Sequence, residues 1–164
     1  YRRWLERTGR LDDYHDEFAL CDMLASLPRF ATTSVFESRA ALRIRCRNHT
    51  ALKNAYETIF RKSWPALAAM LEPTFGPLGW TAMASSGSTE AELAGPFGNS
   101  GTGGLRIVMT DRNKVPAAFL WMRGSGTEPV FRIMADVRGD DGTLEALLLE
   151  RHAAMVREAD SIAQ

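Results

Sequence analysis

Apolar residues recur along this chain in two periods. Leu52, Tyr56, Ile59, Phe60, Trp64, Leu67 and Leu71 fall three or four apart and predict an amphipathic helix from Thr50 to Leu71. Thr50, after Asn48 and His49, is placed to cap it, and Pro65 inside the pattern predicts a kink or two successive helices. Leu144, Leu147, Leu148, His152, Met155 and Ile162 trace a second such helix, with Thr143 as its N-cap and Glu145 and Glu150 in the early turns. His152 on that face reads as a packed or partly exposed histidine rather than a ligand. Near the start, residues 1–9 read as a helical tail that stops at Gly9. A helix is expected from Leu11 to Leu27, where Tyr14, Phe18, Cys21 and Leu24 or Ala25 recur and Pro28 ends the run. His15, Asp16 and Glu17 point in different directions on such a helix, so they read as a solvated face, not a metal site.

The other period is two. Residues 32–47 read as extended, with Ala40, Leu42, Ile44 and Cys46 alternating against Arg39, Arg43, Arg45 and Arg47. Pro73, Gly76, Pro77 and Gly79 form a turn-rich connection to a short strand over Trp80 to Ala84. Residues 85–103 are rich in Gly and Ser and predict a long exposed loop, with Gly101-Thr102-Gly103-Gly104 as its flexible end. Leu105 to Thr110, Ala117 to Arg123 and Val130 to Val137 are three further strands, the first two joined by a hairpin turn at Asp111-Arg112-Asn113-Lys114. In the last strand Phe131, Ile133, Ala135 and Val137 share the face suited to packing beneath helices, and Arg132 lies opposite with Met134 and Asp136. Strand, helix, several strands, helix is the order of an α+β fold: a mainly antiparallel sheet with helices packed on one face.

Composition narrows the function. The 164 residues carry 20 basic and 20 acidic side chains, a balance unsuited to a general polyanion binder. The basic row from Arg39 to Arg47 lacks interleaved aromatics, so it reads as a solvated or domain-contacting face and no nucleic-acid partner is expected. No apolar run approaches a membrane span, and no membrane partner is expected. Cys21 and Cys46 are too few for a disulfide framework or a cysteine-rich metal site, and a reduced cytoplasmic setting is the simplest reading. The chain opens at Tyr1 with Arg2-Arg3-Trp4-Leu5, which reads like the end of a helix and suggests a fragment of a longer protein or a processed chain.

Chemistry concentrates at Arg123-Gly124-Ser125-Gly126-Thr127-Glu128-Pro129, with Arg132 just beyond. Gly124 and Gly126 permit close backbone approach and positive φ, and successive amides there can form an anion-binding nest. Ser125 and Thr127 add hydroxyls, and Arg123 and Arg132 add planar forks that match phosphate oxygens. At about 1.5–3 kcal/mol for each charged hydrogen bond, two arginine contacts are enough to anchor a phosphorylated small molecule. Glu128 repels an anion; it is expected to turn away, accept backbone N–H bonds or orient an arginine. The same residues are also compatible with an ordinary hairpin connection. A dinucleotide fingerprint is excluded because the third glycine is missing and a strand follows, and an NTPase P-loop because Gly-Lys-Ser/Thr is absent.

The run from Leu120 to Arg132 strongly resembles the C-terminal signature of the α-D-phosphohexomutases, the phosphoglucomutase and phosphomannomutase family. Arg123, Ser125, Gly126, Thr127, Glu128, Pro129 and Arg132 match, Gly124 fills a variable position, and Gly104 to Val108 resembles the preceding strand. More loosely, Leu27 to Thr33 resembles the passage from the third domain to the fourth. The resemblance implies a TATA-box-binding-protein-like fourth domain over residues 29–164, with residues 1–28 as the helical tail of the preceding domain and linker, and an insertion around 73–103. It implies substrate-phosphate binding by Arg123, Gly124, Ser125, Gly126, Thr127 and Arg132. It further implies intramolecular phosphoryl transfer on hexose phosphates, through a bisphosphorylated intermediate, by the full-length enzyme. The nucleophile, metal and sugar-recognition loops of that family are not found in this sequence. Mg2+ is therefore expected outside this chain, the missing three N-terminal domains are expected partners, and no catalysis is expected from this chain alone. The alternative is a non-catalytic interaction domain that retains the fold.

Overall fold

The computed structural model describes residues 1–126 and 128–164. Its centre is one seven-stranded sheet whose pairings are all antiparallel. The strands are β1 (Phe30–Thr32), β2 (Ala41–Arg43), β3 (Gly79–Ser86), β4 (Thr89–Glu92), β5 (Gly104–Thr110), β6 (Pro116–Gly124) and β7 (Val130–Arg138). They lie in the order β1-β7-β6-β5-β3-β4, with β2 beside β1 along the same edge of β7. The helices are α1 (Arg2–Arg7), α2 (Leu20–Ser26), α3 (His49–Phe75) and α4 (Gly142–Ile162). The class is α+β.

Strand parity places the core as the alternation predicts. Phe131, Ile133, Ala135 and Val137 join Leu120 and Met122 of β6 and Ile107 and Met109 of β5 in one cluster. Leu52, Tyr56 and Phe60 of α3 and Leu148, Met155 and Val156 of α4 complete it. His152 is fully buried there. Its Nε2 lies 3.1 Å from the Trp121 carbonyl, which can only accept, so Nε2 carries the proton and donates. Nδ1 then accepts from the Tyr56 hydroxyl at 2.9 Å. Burial pushes the His152 imidazole down to about 4.

The helix ends differ from the sequence expectation. Asn48, not Thr50, caps α3, its side chain accepting the Ala51 N–H at 3.0 Å. The helix then runs unbroken for 27 residues through Pro65 and Pro73, rather than splitting. Pro65 is exposed, so the carbonyl it leaves unpaired faces solvent. Asp141, not Thr143, caps α4 through the Thr143 and Leu144 amides. Leu147 and Ile162 lie on its exposed side, and Leu149 and Ala153 are buried instead. The helix expected over residues 11–27 reduces to a single 3-10 turn at Leu11–Asp13 and the short α2. Tyr14 and Phe18 leave the helical path to pack with Tyr1.

The strand expected over residues 32–47 is broken. Of this stretch only β1 and β2 pair with β7 as strands; Thr33 still donates its N–H to the Ala135 carbonyl at 3.0 Å, and residues 34–40 leave the sheet. The detour is anchored by buried Glu145 of α4, which accepts from the Thr33 hydroxyl and from Arg39. Past β2 the alternation continues without a ladder: Ile44 and Cys46 are buried and Arg45 and Arg47 exposed. There Asp160 replaces a partner strand, accepting the Arg45 N–H at 3.0 Å and the Cys46 N–H at 2.7 Å.

The long exposed loop of the sequence reading is likewise replaced. β3 runs to Ser86 and turns into β4, and a 3-10 turn over Phe97–Ser100 buries Phe97 and Ser100. One polar face of α3 holds it. Glu57 accepts the Phe97 N–H and Asn54 the Gly98 N–H, each at 2.8 Å. The Lys53 ammonium donates to Ser100 Oγ and to the carbonyls of Gly101 and Gly103 at 2.7–2.9 Å. Gly101 to Gly104 is thus tethered rather than a flexible loop end.

Two buried groups give the fold a pH signature of mixed sign. His152 titrates near 4 when folded against 6.5 when free, so its contribution of about 3 kcal/mol is present above pH 6.5 and is lost as pH falls towards 4. Burial raises Asp136 from 3.8 to about 6, so its protonation favours the folded state as pH falls through that range. Urea unfolding of an Asp136→Asn variant is expected to lose stability more steeply than wild type between pH 6 and 4. An unchanged slope would overturn the assignment for Asp136.

Candidate anion-binding groove

The loop between β6 and β7 is closed by its own backbone. The Ser125 N–H donates to the Val130 carbonyl at 2.8 Å, the Val130 N–H to the Glu128 carbonyl at 2.7 Å, and the Glu128 N–H to Ser125 Oγ at 3.3 Å. Two of the amides expected to form a nest are therefore used within the turn. Neither Gly124 nor Gly126 has positive φ, contrary to the sequence expectation. Gly124 is needed for a different reason: a Cβ there would overlap Cε1, Nδ1 and Nε2 of His49. Around Gly126 nothing would meet a Cβ, so its exposed backbone is open to approach. Thr127 lies outside the described residues.

Arg123 and Arg132 are direct cross-strand neighbours on β6 and β7. Arg132 is half-buried, and its Nη1 donates to the Val35 carbonyl at 3.2 Å, which holds the guanidinium beside the detour between β1 and β2. Arg123 is exposed. Its charge, after burial itself, helps push Lys53 down to about 8.

Ser125, Gly126, Glu128 and Pro129 form one wall of a groove of about 860 Å³. The opposite wall is Ile44 to Asn48 followed by His49 and Thr50, the first turn of α3, with Thr102 at the end. The groove thus lies between the loop and the positive end of a long helix. Arg43, Arg45, Arg47 and Arg123 form no salt bridge with any described residue. By contrast, Arg39 and Arg106 are each paired with a carboxylate. His49 rests edge-on against Phe131, and burial followed by the Lys53 charge lowers its pKa.

The structure therefore joins Ser125 and Gly126 to this groove and pairs Arg123 with Arg132, but neither arginine forms part of the groove wall. Glu128 is part of the groove wall, and its carboxylate has no hydrogen bond or salt bridge among the described residues. Arg45, Arg47 and His49 were missed as site residues. The alternation after Ala40 was visible, but nothing local shows that it delivers its arginines to the loop. Among the described residues no group of three or more His, Cys, Asp or Glu is placed to hold a metal. No helix among the described residues is long and apolar enough to cross a membrane. Comparison with family models, curated proteins and solved structures finds no match for the chain.

The Gly124–His49 contact makes a testable pair. Gly124→Ala is expected to cost about 1–3 kcal/mol in urea unfolding through overpacking. In a His49→Ala background the same change is expected to cost under half as much. Additive costs would show that the two residues do not share the space.

Proposed function

We propose that this chain is the substrate-phosphate-binding C-terminal domain of a phosphohexomutase of the phosphoglucomutase and phosphomannomutase type. The observation that carries the reading is the cross-strand placement of Arg123 and Arg132 at the base of a loop with that family's signature residues. Arg45 and Arg47, which form no salt bridge with any described residue, and the start of α3 add positive potential on the other side of the loop. The antiparallel sheet with two long helices is compatible with the TATA-box-binding-protein-like fold, and that finer assignment belongs to the same proposal.

In this role the domain binds and orients. Arg123 and Arg132 offer forked donors to a phosphate, and Ser125 and Gly126 bring the loop close to it. Such a clamp grips phosphate without reading the sugar ring, so it suits a substrate that must be held by either end. Closing it over a ligand excludes water and strengthens each charged contact. The phosphoryl-transferring serine and the Mg2+ loop belong to other domains of the full-length enzyme, so this chain positions a substrate without transforming it. An open reading frame that carries those loops upstream supports the enzyme assignment; one that begins near Tyr1 overturns it.

Binding is tested on the chain as it stands. Inorganic phosphate and glucose phosphate are expected to shift the amide NMR signals of Ser125 and Gly126. Arg123→Ala is expected to weaken binding about tenfold or more, the loss of one charged hydrogen bond. Undiminished binding in that variant would rule out the clamp. Glu128→Gln is expected to tighten binding several-fold, because it removes the one carboxylate in the groove wall.

A further inference from the structure

We infer that His49 is a proton-linked ligand of the groove: an oxyanion seated between Ser125 and the start of α3 meets its imidazole in the charged form, so that anion binding and protonation of His49 favour one another. The inference rests on the phosphate-site reading above and extends it to a residue outside the loop signature.

The ring packs on Gly124, the residue next to Ser125, through Cε1, with Nδ1 and Nε2 flanking it, at a distance that leaves no room for a Cβ. Phe131 of β7 fixes the ring from the side at 5.3 Å between centroids. His49 also lines the groove, and neither ring nitrogen has a hydrogen-bond partner among the described residues. A histidine held this firmly, with both nitrogens unused beside a loop of anion-binding composition, is positioned to contact a ligand.

The surrounding charges set the direction of the linkage. From α3 comes Lys53, with Arg123 acting on it from the end of β6; from the segment before α3, Arg45 and Arg47; from the loop, Glu128. β7 contributes the uncharged Phe131 ring. Cations outnumber the single carboxylate, and burial and Lys53 already hold the imidazole below its ordinary value. The empty groove thus favours neutral His49. A dianion reverses that balance, and the imidazole takes its proton from solvent as the anion enters.

Inorganic sulfate is the probe, because it remains dianionic across the range and any pH dependence then belongs to the protein. Binding is measured between pH 5 and 7 at fixed ionic strength, below the Lys53 titration near 8. The affinity of the wild-type chain is expected to rise as pH falls, by up to about tenfold per pH unit for one linked proton. The His49 Cε1–H NMR titration is expected to move to higher pH with sulfate, His15 serving as internal reference. His49→Gln is expected to bind sulfate with a much flatter pH dependence, although Asp136 titrates near 6 in both proteins. The NMR arm needs no variant, so poor folding of His49→Gln leaves the test intact. Saturable binding with an unmoved His49 titration, or an equal slope in both proteins, overturns the inference and spares the anion site. Absence of saturable sulfate binding at every pH overturns both.

Discussion

One buried hydrogen-bonded chain, from Tyr56 through His152 to the Trp121 carbonyl, fixes α3, α4 and β6 against each other. Two distances run outward from it. Seven residues back along α3, about 10 Å of helix rise, stands His49. Three residues forward along β6, about 10 Å of strand, stands Gly124. The two paths end in contact, which closes a triangle of helix, strand and shared anchor. The groove is the mouth of that triangle. Its shape is therefore set in the hydrophobic core, far from the surface where a ligand would arrive.

The same helix orders the chain on its other side. Lys53, Asn54 and Glu57 present an ammonium, an amide and a carboxylate to the backbone between Phe97 and Gly103. A stretch rich in Gly and Ser has little apolar surface with which to hold itself. Here its backbone polar groups find partners on α3 and Phe97 enters the core, and the cost of ordering it is offset by these hydrogen bonds together with that one buried ring. Lys53 belongs to both structures, since it fixes this stretch, lowers the pKa of His49 and is itself lowered by the charge of Arg123 after burial.

Much of the fold was legible in the sequence. Ile133 and Val137 announced their face by alternation, and Leu52, Tyr56 and Phe60 theirs by helical spacing, because both patterns are consequences of local backbone geometry. The order of residues 85–103 was not legible, because Asn54 and Glu57 on α3 look like ordinary solvent-facing positions until the turn docks on them. The break between β1 and β2 was hidden for a similar reason: its anchor, Glu145, lies more than a hundred residues away. At the candidate site the loop stood out by composition. Its facing wall did not, since Arg45 and Arg47 reach the groove through the hold of Asp160 on their segment.

The broken edge has a consequence for the sheet's outer borders. One border consists of the three-residue strands β1 and β2, separated by a detour that leans on α4. The other is β4, four residues long, exposed throughout and carrying Glu90 and Glu92. Short, interrupted or acidic margins present few consecutive backbone groups to another strand. A sheet whose interior strands run to nine residues is thus guarded at both sides against growing by the addition of a second molecule, and its long strands β6 and β7 remain enclosed within it.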